Sequence, residues 1–198
     1  LAEGRSLSAA LPPALNSVPP AERGMTQELC YGTLRWAPRL EALAARLLDK
    51  PLRARDSDVH ALLLVGLYQL LYLDVPPHAA VSLTVEAAAK LKKEWARGLL
   101  NGVLRRLLRE QESLLAAVDA GESAVQAHPA WLLARFEQDW PEDWRAIARA
   151  NNERPPMTLR VNRGQGSRAD YLARLEAVDI AATAVAQTPD AITLATPL

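Results

Sequence analysis

The sequence predicts a mainly α protein, an all-α helical bundle followed by a small α/β module of β-α-β-β order. Three observations carry this. Leu, Ala and Arg recur at helical spacing over the first 150 or so residues, with few β-branched residues among them. The run "ALLLVGLYQLLYL" (61–73) is apolar nearly all round, as a central buried helix is. After Pro155 and Pro156 the texture changes to strict alternation, with Met157, Leu159 and Val161 on one side and Thr158, Arg160 and Asn162 on the other.

Taken in order, residues 1–24 hold "ALPPALNSVPPAERG" and read as a loop or mobile lead-in. Thr26 can cap the helix that follows, and Pro38 divides "TQELCYGTLRWAPRLEALAARLL" into helices near 26–36 and 38–48. Ser57 or Asp58 caps the apolar helix 59–73. "DVPPHA" ends that helix and begins another over 78–92, and residues 98–111 form a further helix that extends toward Ala117. "DAGESAVQAHP" (119–129) reads as a linker, followed by helices near 129–138 and 141–152. A strand over 157–162, a turn at "RGQGS", a helix over 168–177 and strands near 182–187 and 191–195 complete the chain. The expected division is 1–120 for the helical domain and 121–198 for linker helices and a partial α/β module. A four-element module leaves unpaired sheet edges, so the sheet is expected to be finished by sequence beyond Leu198, and the missing initial Met points to a trimmed start.

Composition narrows the function classes. With 198 residues, 23 Lys and Arg and 23 Asp and Glu, the chain has zero formal charge. Global charge therefore argues for neither nucleic acid nor membrane, and any such argument must be local. Arg outnumbers Lys 19 to 4, which suits phosphate recognition but also fits an Ala- and Leu-rich genome composition. The single cysteine, Cys30, excludes an internal disulfide and suggests a reducing, cytoplasmic setting. Its neighbours Glu28, Leu29 and Leu34 suggest a buried small hydrophobe rather than a nucleophile. The apolar run 61–73 is shorter than the roughly 20 residues that span a bilayer. His60, His78 and His128 lack metal-ligand spacing, and His78 and His128 read as turn residues beside prolines. No phosphate-cradling glycine loop and no catalytic constellation appears, so catalytic, cofactor-binding and metal residues are all expected to be absent from this chain.

The sharpest basic feature is "GLLNGVLRRLLRE". Leu100, Val103, Leu104 and Leu107 form an apolar stripe, with Arg105, Arg106 and Arg109 opposite. Lys90, Lys92, Lys93 and Arg97 lie just upstream, and residues 84–113 hold seven bases against Glu86, Glu94, Glu110 and Glu112. From charge alone this fits a solvated amphipathic face; it also fits a phosphate-contacting surface. Asn101, beside Gly98 and Gly102, is expected to be buried, hydrogen-bonded and close to a neighbouring helix.

The segments "ELCYGTLRW", "VGLYQLLYLDVPPHAAVSLTVEAAAKLK" and "GLLNGVLRRLLRE", in that order, resemble the NusB-like helical domain. Together with "HPAWLLARF", "ANNERPPMTLRVNR" and "PDAITLATP" they resemble the RsmB-like (Fmu) family of bacterial 16S ribosomal RNA (cytosine-C5)-methyltransferases, from about Ser6 to Leu198. The resemblance implies an RNA-binding, substrate-positioning amino-terminal region. Its implied partner is 16S ribosomal RNA, with no DNA and no membrane. S-adenosylmethionine is the implied cofactor of the parent enzyme and not of this chain. It also allows a NusB-like antitermination adaptor, or a surface that binds ribosomal proteins or self-associates. Two departures stand out. The family has a further helix before "SLSAALP". It also has a later catalytic domain with a glycine-rich loop, a Pro-Cys motif and a Thr-Cys motif, and Cys30 matches neither, so the chain alone is expected to be inactive. With the local basic excess, the resemblance makes Lys92, Lys93, Arg105, Arg106 and Arg109 the first candidates for RNA contact. Arg160 and Arg163, on or beside the strand face, come second.

Overall fold

The structure is a computed structural model that describes residues 6–153 and 155–196. Residues 1–5 of the expected lead-in, Arg154, and the last two residues of "ATPL" lie outside the described residues. The helices of the first unit run α1 (Leu7–Leu15), α2 (Arg23–Arg35), α3 (Ala37–Leu47), α4 (Ser57–Tyr72), α5 (Pro77–Lys90), α6 (Ala96–Val118), α7 (Glu122–Val125), α8 (Ala130–Asp139) and α9 (Trp144–Asn152). None of the described helices is long and apolar enough to cross a membrane.

The apolar run forms the middle of this unit, as its composition requires. Val59, Leu63 and Leu67 of α4 are at most 1% exposed. They pack among Leu40 and Leu43 of α3 and Leu100, Leu104 and Leu107 of α6 in one cluster. Two glycines allow this approach. A Cβ on Gly66 would stand 3.0 Å from Thr84 Cγ2 and 3.1 Å from the Leu104 methyls, so α4, α5 and α6 meet there. A Cβ on Gly32 would run into the Tyr68 ring, which draws α2 against α4. Trp36, Tyr72 and Tyr68 stack in series, with centroids 4.4 and 5.4 Å apart. Arg39 ties this stack to the end of α6, with Nη1 donating to the Tyr72 hydroxyl at 3.1 Å and Nη2 to Asp119 Oδ2 at 2.6 Å. Burial works against the Arg39 cation, but the bonds to Tyr72 and Asp119 outweigh it and hold its pKa above the ordinary value.

The lead-in is not a loop throughout. Ser6 caps α1, its Oγ accepting from Ala9 N at 3.3 Å, and Leu11 is 5% exposed. Pro12 and Pro13 remove two donors, but the carbonyls left over belong to exposed Ser8 and Ala9 and can face water. Thr26 is not a cap. A 3-10 turn (Pro20–Glu22) leads straight into α2, and the Thr26 hydroxyl donates back to Glu22 O at 3.0 Å. Neither Ser57 nor Asp58 caps α4, which starts after a 3-10 turn with Asp56 in the N-cap position. α6 runs through residue 118, with a non-helical break at Glu110 (φ −115°, ψ 18°).

Residues 119–129 are also not a free linker. α7 packs on α3, and Ala124 joins the main core at 7% exposure. The turn after it is held by Ser123 Oγ donating to His128 O and by Asn152 Nδ2 donating to Gln126 O at 2.7 Å. His128 lies in this turn, as expected, and is buried there edge-on to Phe136. By its contacts the chain separates between Asn152 and Glu153: α7 packs on α3, and α8, which adjoins α7, shares with α9 a small core of its own made of Leu133, Trp144 and Ala148.

The second unit contains β1 (Thr158–Arg160), α10 (Arg168–Glu176), β2 (Ala182–Ala184) and β3 (Ala191–Leu194), the β-α-β-β order that alternation implies. Among the described residues the sheet is antiparallel with order β1-β3-β2, pairing Leu159 with Ile192 and Ala184 with Ile192. Its core is Val161, Leu175, Ile192 and Leu194, with Met157 and Leu159 packed against it. Gly166 takes φ +137°, and Ser167 and Asp170 form a capping box that starts α10.

Candidate nucleic-acid interface

α6 carries the basic surface because its apolar period is regular. Leu100, Leu104 and Leu107 are fully buried and Val103 is 6% exposed, which forces Arg105 and Arg109 outward. Asn101 is only half-buried and lies on this outer face, where its Oδ1 accepts from Arg105 Nε at 3.0 Å. The expected close helix approach is absent, since a Cβ on Gly98 or Gly102 would meet nothing within 4 Å. Helix periodicity turns all three residues to solvent along with Arg105.

The seven candidate cations have different surroundings. Among the described residues Arg105 bonds the neutral Asn101 amide and no acid, so its charge is not cancelled there. Arg109, Lys92 and Arg160 are exposed and make no ion pair among the described residues. Lys92 sits on the α5–α6 turn at φ +57°. Lys93 is engaged elsewhere, its Nζ 2.9 Å from Asp56 Oδ1 and 3.5 Å from Asp58 Oδ1. The hydrogen bond to Lys93 lowers the Asp56 pKa, and Asp56 raises that of Lys93. Arg106 Nε pairs with Glu110 at 3.0 Å and its Nη1 reaches Leu47 O. Arg163 Nε pairs with Asp190 at 2.7 Å, which raises its pKa. Arg160 stands on the outer face of β1 opposite Ala191. Cys30 is partly rather than fully buried, and burial pushes its thiol up, away from nucleophilic character.

Sequence reasoning missed a second feature of the helical unit. The loop before α4 and the turn before α6 enclose a surface recess of about 400 Å³. Pro51, Leu52, Arg53, Arg55, Asp56 and Trp95 line it, and Trp95 is 54% exposed. The available signal was a tryptophan in the polar stretch "KLKKEWARG".

Comparison with known proteins divides the chain earlier than Asn152, between residues 109 and 128. The model of the NusB family matches residues 1–109. The model described as Methyltr_RsmF/B-like, ferredoxin-like domain matches residues 128–198 and so takes in α8 and α9 with the sheet. The chain is 54% identical over 190 residues to a Pseudomonas putida protein named ribosomal RNA small subunit methyltransferase B, covering 96% of this chain and 44% of the relative. Proteins of the same name from Klebsiella pneumoniae and Escherichia coli O17:K52:H18 are 47% and 46% identical over 195 residues, again covering 98% of this chain and 45% of the relative. The chain thus spans less than half the length of these curated relatives. With more than half of its residues matched by the NusB model, the chain belongs to the NusB family, its helical part followed by a ferredoxin-like module of the RsmF/B methyltransferase type.

Proposed function

We propose that this chain is the RNA-binding, substrate-positioning amino-terminal region of an S-adenosylmethionine-dependent 16S rRNA (cytosine-C5)-methyltransferase. The observation that carries the reading is the outer face of α6. Arg105 and Arg109 stand there one turn apart without an acidic partner among the described residues, in a chain whose relatives are named ribosomal RNA methyltransferases. Unpaired guanidiniums on a regular helix suit successive phosphates, which supply affinity and orientation rather than sequence choice. A base methylated inside a folded RNA must leave its stack, and a separate surface that grips the flanking backbone serves that need. In this reading 16S rRNA is the partner, the setting is cytoplasmic, and methyl transfer and its cofactor belong to the rest of the parent enzyme.

The test is binding to a 16S rRNA fragment across a salt series. The wild-type chain should lose affinity steeply with salt. The double variant Arg105→Glu, Arg109→Glu should bind about tenfold or more weakly and with a shallower slope, by about 1 for each phosphate it no longer neutralises. Salt-insensitive binding in the wild type sinks the function, whereas an unchanged double variant sinks only the site. A second reading, a NusB-like antitermination adaptor without chemistry, draws on the family match over residues 1–109. It expects a protein partner on the helical unit and no part in rRNA methylation.

A further inference from the structure

We infer that the recess beside Trp95 is a stacking site for an unpaired RNA base, with Arg53 and Arg55 placed for the adjoining phosphates. This rests on the RNA-binding reading above and adds to it a second kind of contact, one that selects unpaired over duplex RNA.

Tryptophan placement points to it. Trp36 is stacked on Tyr72, and Trp144 is 4% exposed. Trp95, Trp131 and Trp140 are at least half exposed, which removes little of their large apolar area from water. Trp131 and Trp140 stand in the acidic stretch, where Glu137, Asp139, Glu142 and Asp143 would repel a phosphate backbone. Trp95 differs, because Arg53, Arg55 and Lys92 lie on the two loops that shape its surroundings. Arg53 makes no ion pair among the described residues, and the Arg55 side chain is 74% exposed.

The acid lining the recess is already neutralised. Asp56 is 8% exposed, with Lys93 Nζ at 2.9 Å and Arg55 Nε at 3.8 Å. The Lys93 pair also joins the two loops, so it fixes the turn that presents Trp95. At about 400 Å³ the recess falls in the size range of small-ligand sites, roughly 300–1,000 Å³. Pro51 and Leu52 supply apolar lining, and Trp95 supplies the aromatic surface. An aromatic face with flanking guanidiniums is how proteins hold splayed-out bases, and every base offers a face to stack. The charged lining argues against a purely apolar peptide as the occupant.

The experiment compares wild type, Trp95→Ala, Trp95→Phe and the double variant Arg53→Ala, Arg55→Ala. Each is titrated against a fluorescently labelled single-stranded RNA of about 12 nucleotides and against a duplex of equal length, read by anisotropy. Trp95→Ala should weaken single-strand binding by about 5- to 100-fold and leave duplex binding within about twofold. Trp95→Phe should keep most of the affinity, because a phenyl ring still stacks. The arginine variant should weaken both RNAs, and it keeps the test open if Trp95→Ala fails to fold.

Trp95→Ala binding single strands as tightly as wild type overturns the inference and leaves the α6 reading standing. Phe and Ala variants equally weak also overturn it, since stacking would not then be the source. Unchanged RNA binding together with loss of a labelled acidic peptide in Trp95→Ala would overturn it in favour of a protein partner. A wild-type chain that binds no RNA overturns the function itself, and this inference with it.

Discussion

Lys93 reaches from the turn before α6 to Asp56 and Asp58 at the start of α4, and this contact changes what its charge does. A cation 2.9 Å from a nearly buried carboxylate holds two loops together. Arg109, with the same formal charge and no partner among the described residues, remains available to a phosphate. Sequence reading could count both cations but not separate them, because Asp56 lies 37 residues from Lys93 and only the fold brings them together. The Arg106 pair could have been read, since Glu110 stands one turn on, yet charge counting places Arg106 with the open cations. The Asp56 pKa is lowered in the folded state, so its contribution to stability is full above the unfolded carboxylate value of about 3.9 and disappears as pH falls through the folded value. The raised Lys93 value places its own loss at strongly alkaline pH. Urea midpoints should therefore fall on acidification from pH 7 toward about pH 3, and Asp56→Asn should start lower at neutral pH and fall less steeply. An acid slope identical in both proteins would remove Asp56 from this role.

Among the helices, α6 shows how one residue type carries opposite meanings. Gly98 and Gly102 face open space, while Gly66 of α4 touches Thr84 and Leu104. Gly98→Ala or Gly102→Ala should raise stability by up to about 1 kcal/mol, the intrinsic helix preference of alanine. Gly66→Ala should lower it by about 1–3 kcal/mol, because a methyl there must displace a packed methyl. Chemical denaturation of the three variants checks the signs, and a destabilising Gly102→Ala would contradict the open face. The apolar stripe of α6 was legible because its period repeats through four buried positions. The environment of its glycines was not, since helix-to-helix distance leaves no mark on the helix's own period. α1 was hidden for another reason: Pro12 and Pro13 read as breakers, yet a short exposed helix with a serine cap tolerates them.

At the scale of the whole chain, the order of elements and the alternating strands were legible, and the packing of residues 119–129 was not. Residues 119–129 have linker composition, but Ala124 and the turn at His128 are fastened to the helices by a few small or polar contacts. Such contacts lack the apolar periodicity by which sequence announces packing. A chain ending after residue 152 should keep the thermal midpoint of the helical unit. One ending after residue 120 should melt several degrees lower, because α7 would no longer cover α3. Equal midpoints for the two would mean that α7 adds nothing to the stability of the helical unit.

The boundary at Asn152 also divides the chain's optical properties. All five tryptophans lie before it, and Tyr171 is the sole aromatic residue after it. Intrinsic fluorescence excited at the indole band therefore reports on the first unit alone, whereas far-ultraviolet dichroism sums both units. Denaturation curves from the two signals should coincide if the units unfold as one cooperative species, and separate if each melts on its own. The uneven placement of tryptophan thus gives the unlabelled protein a built-in measure of how strongly its two units are coupled.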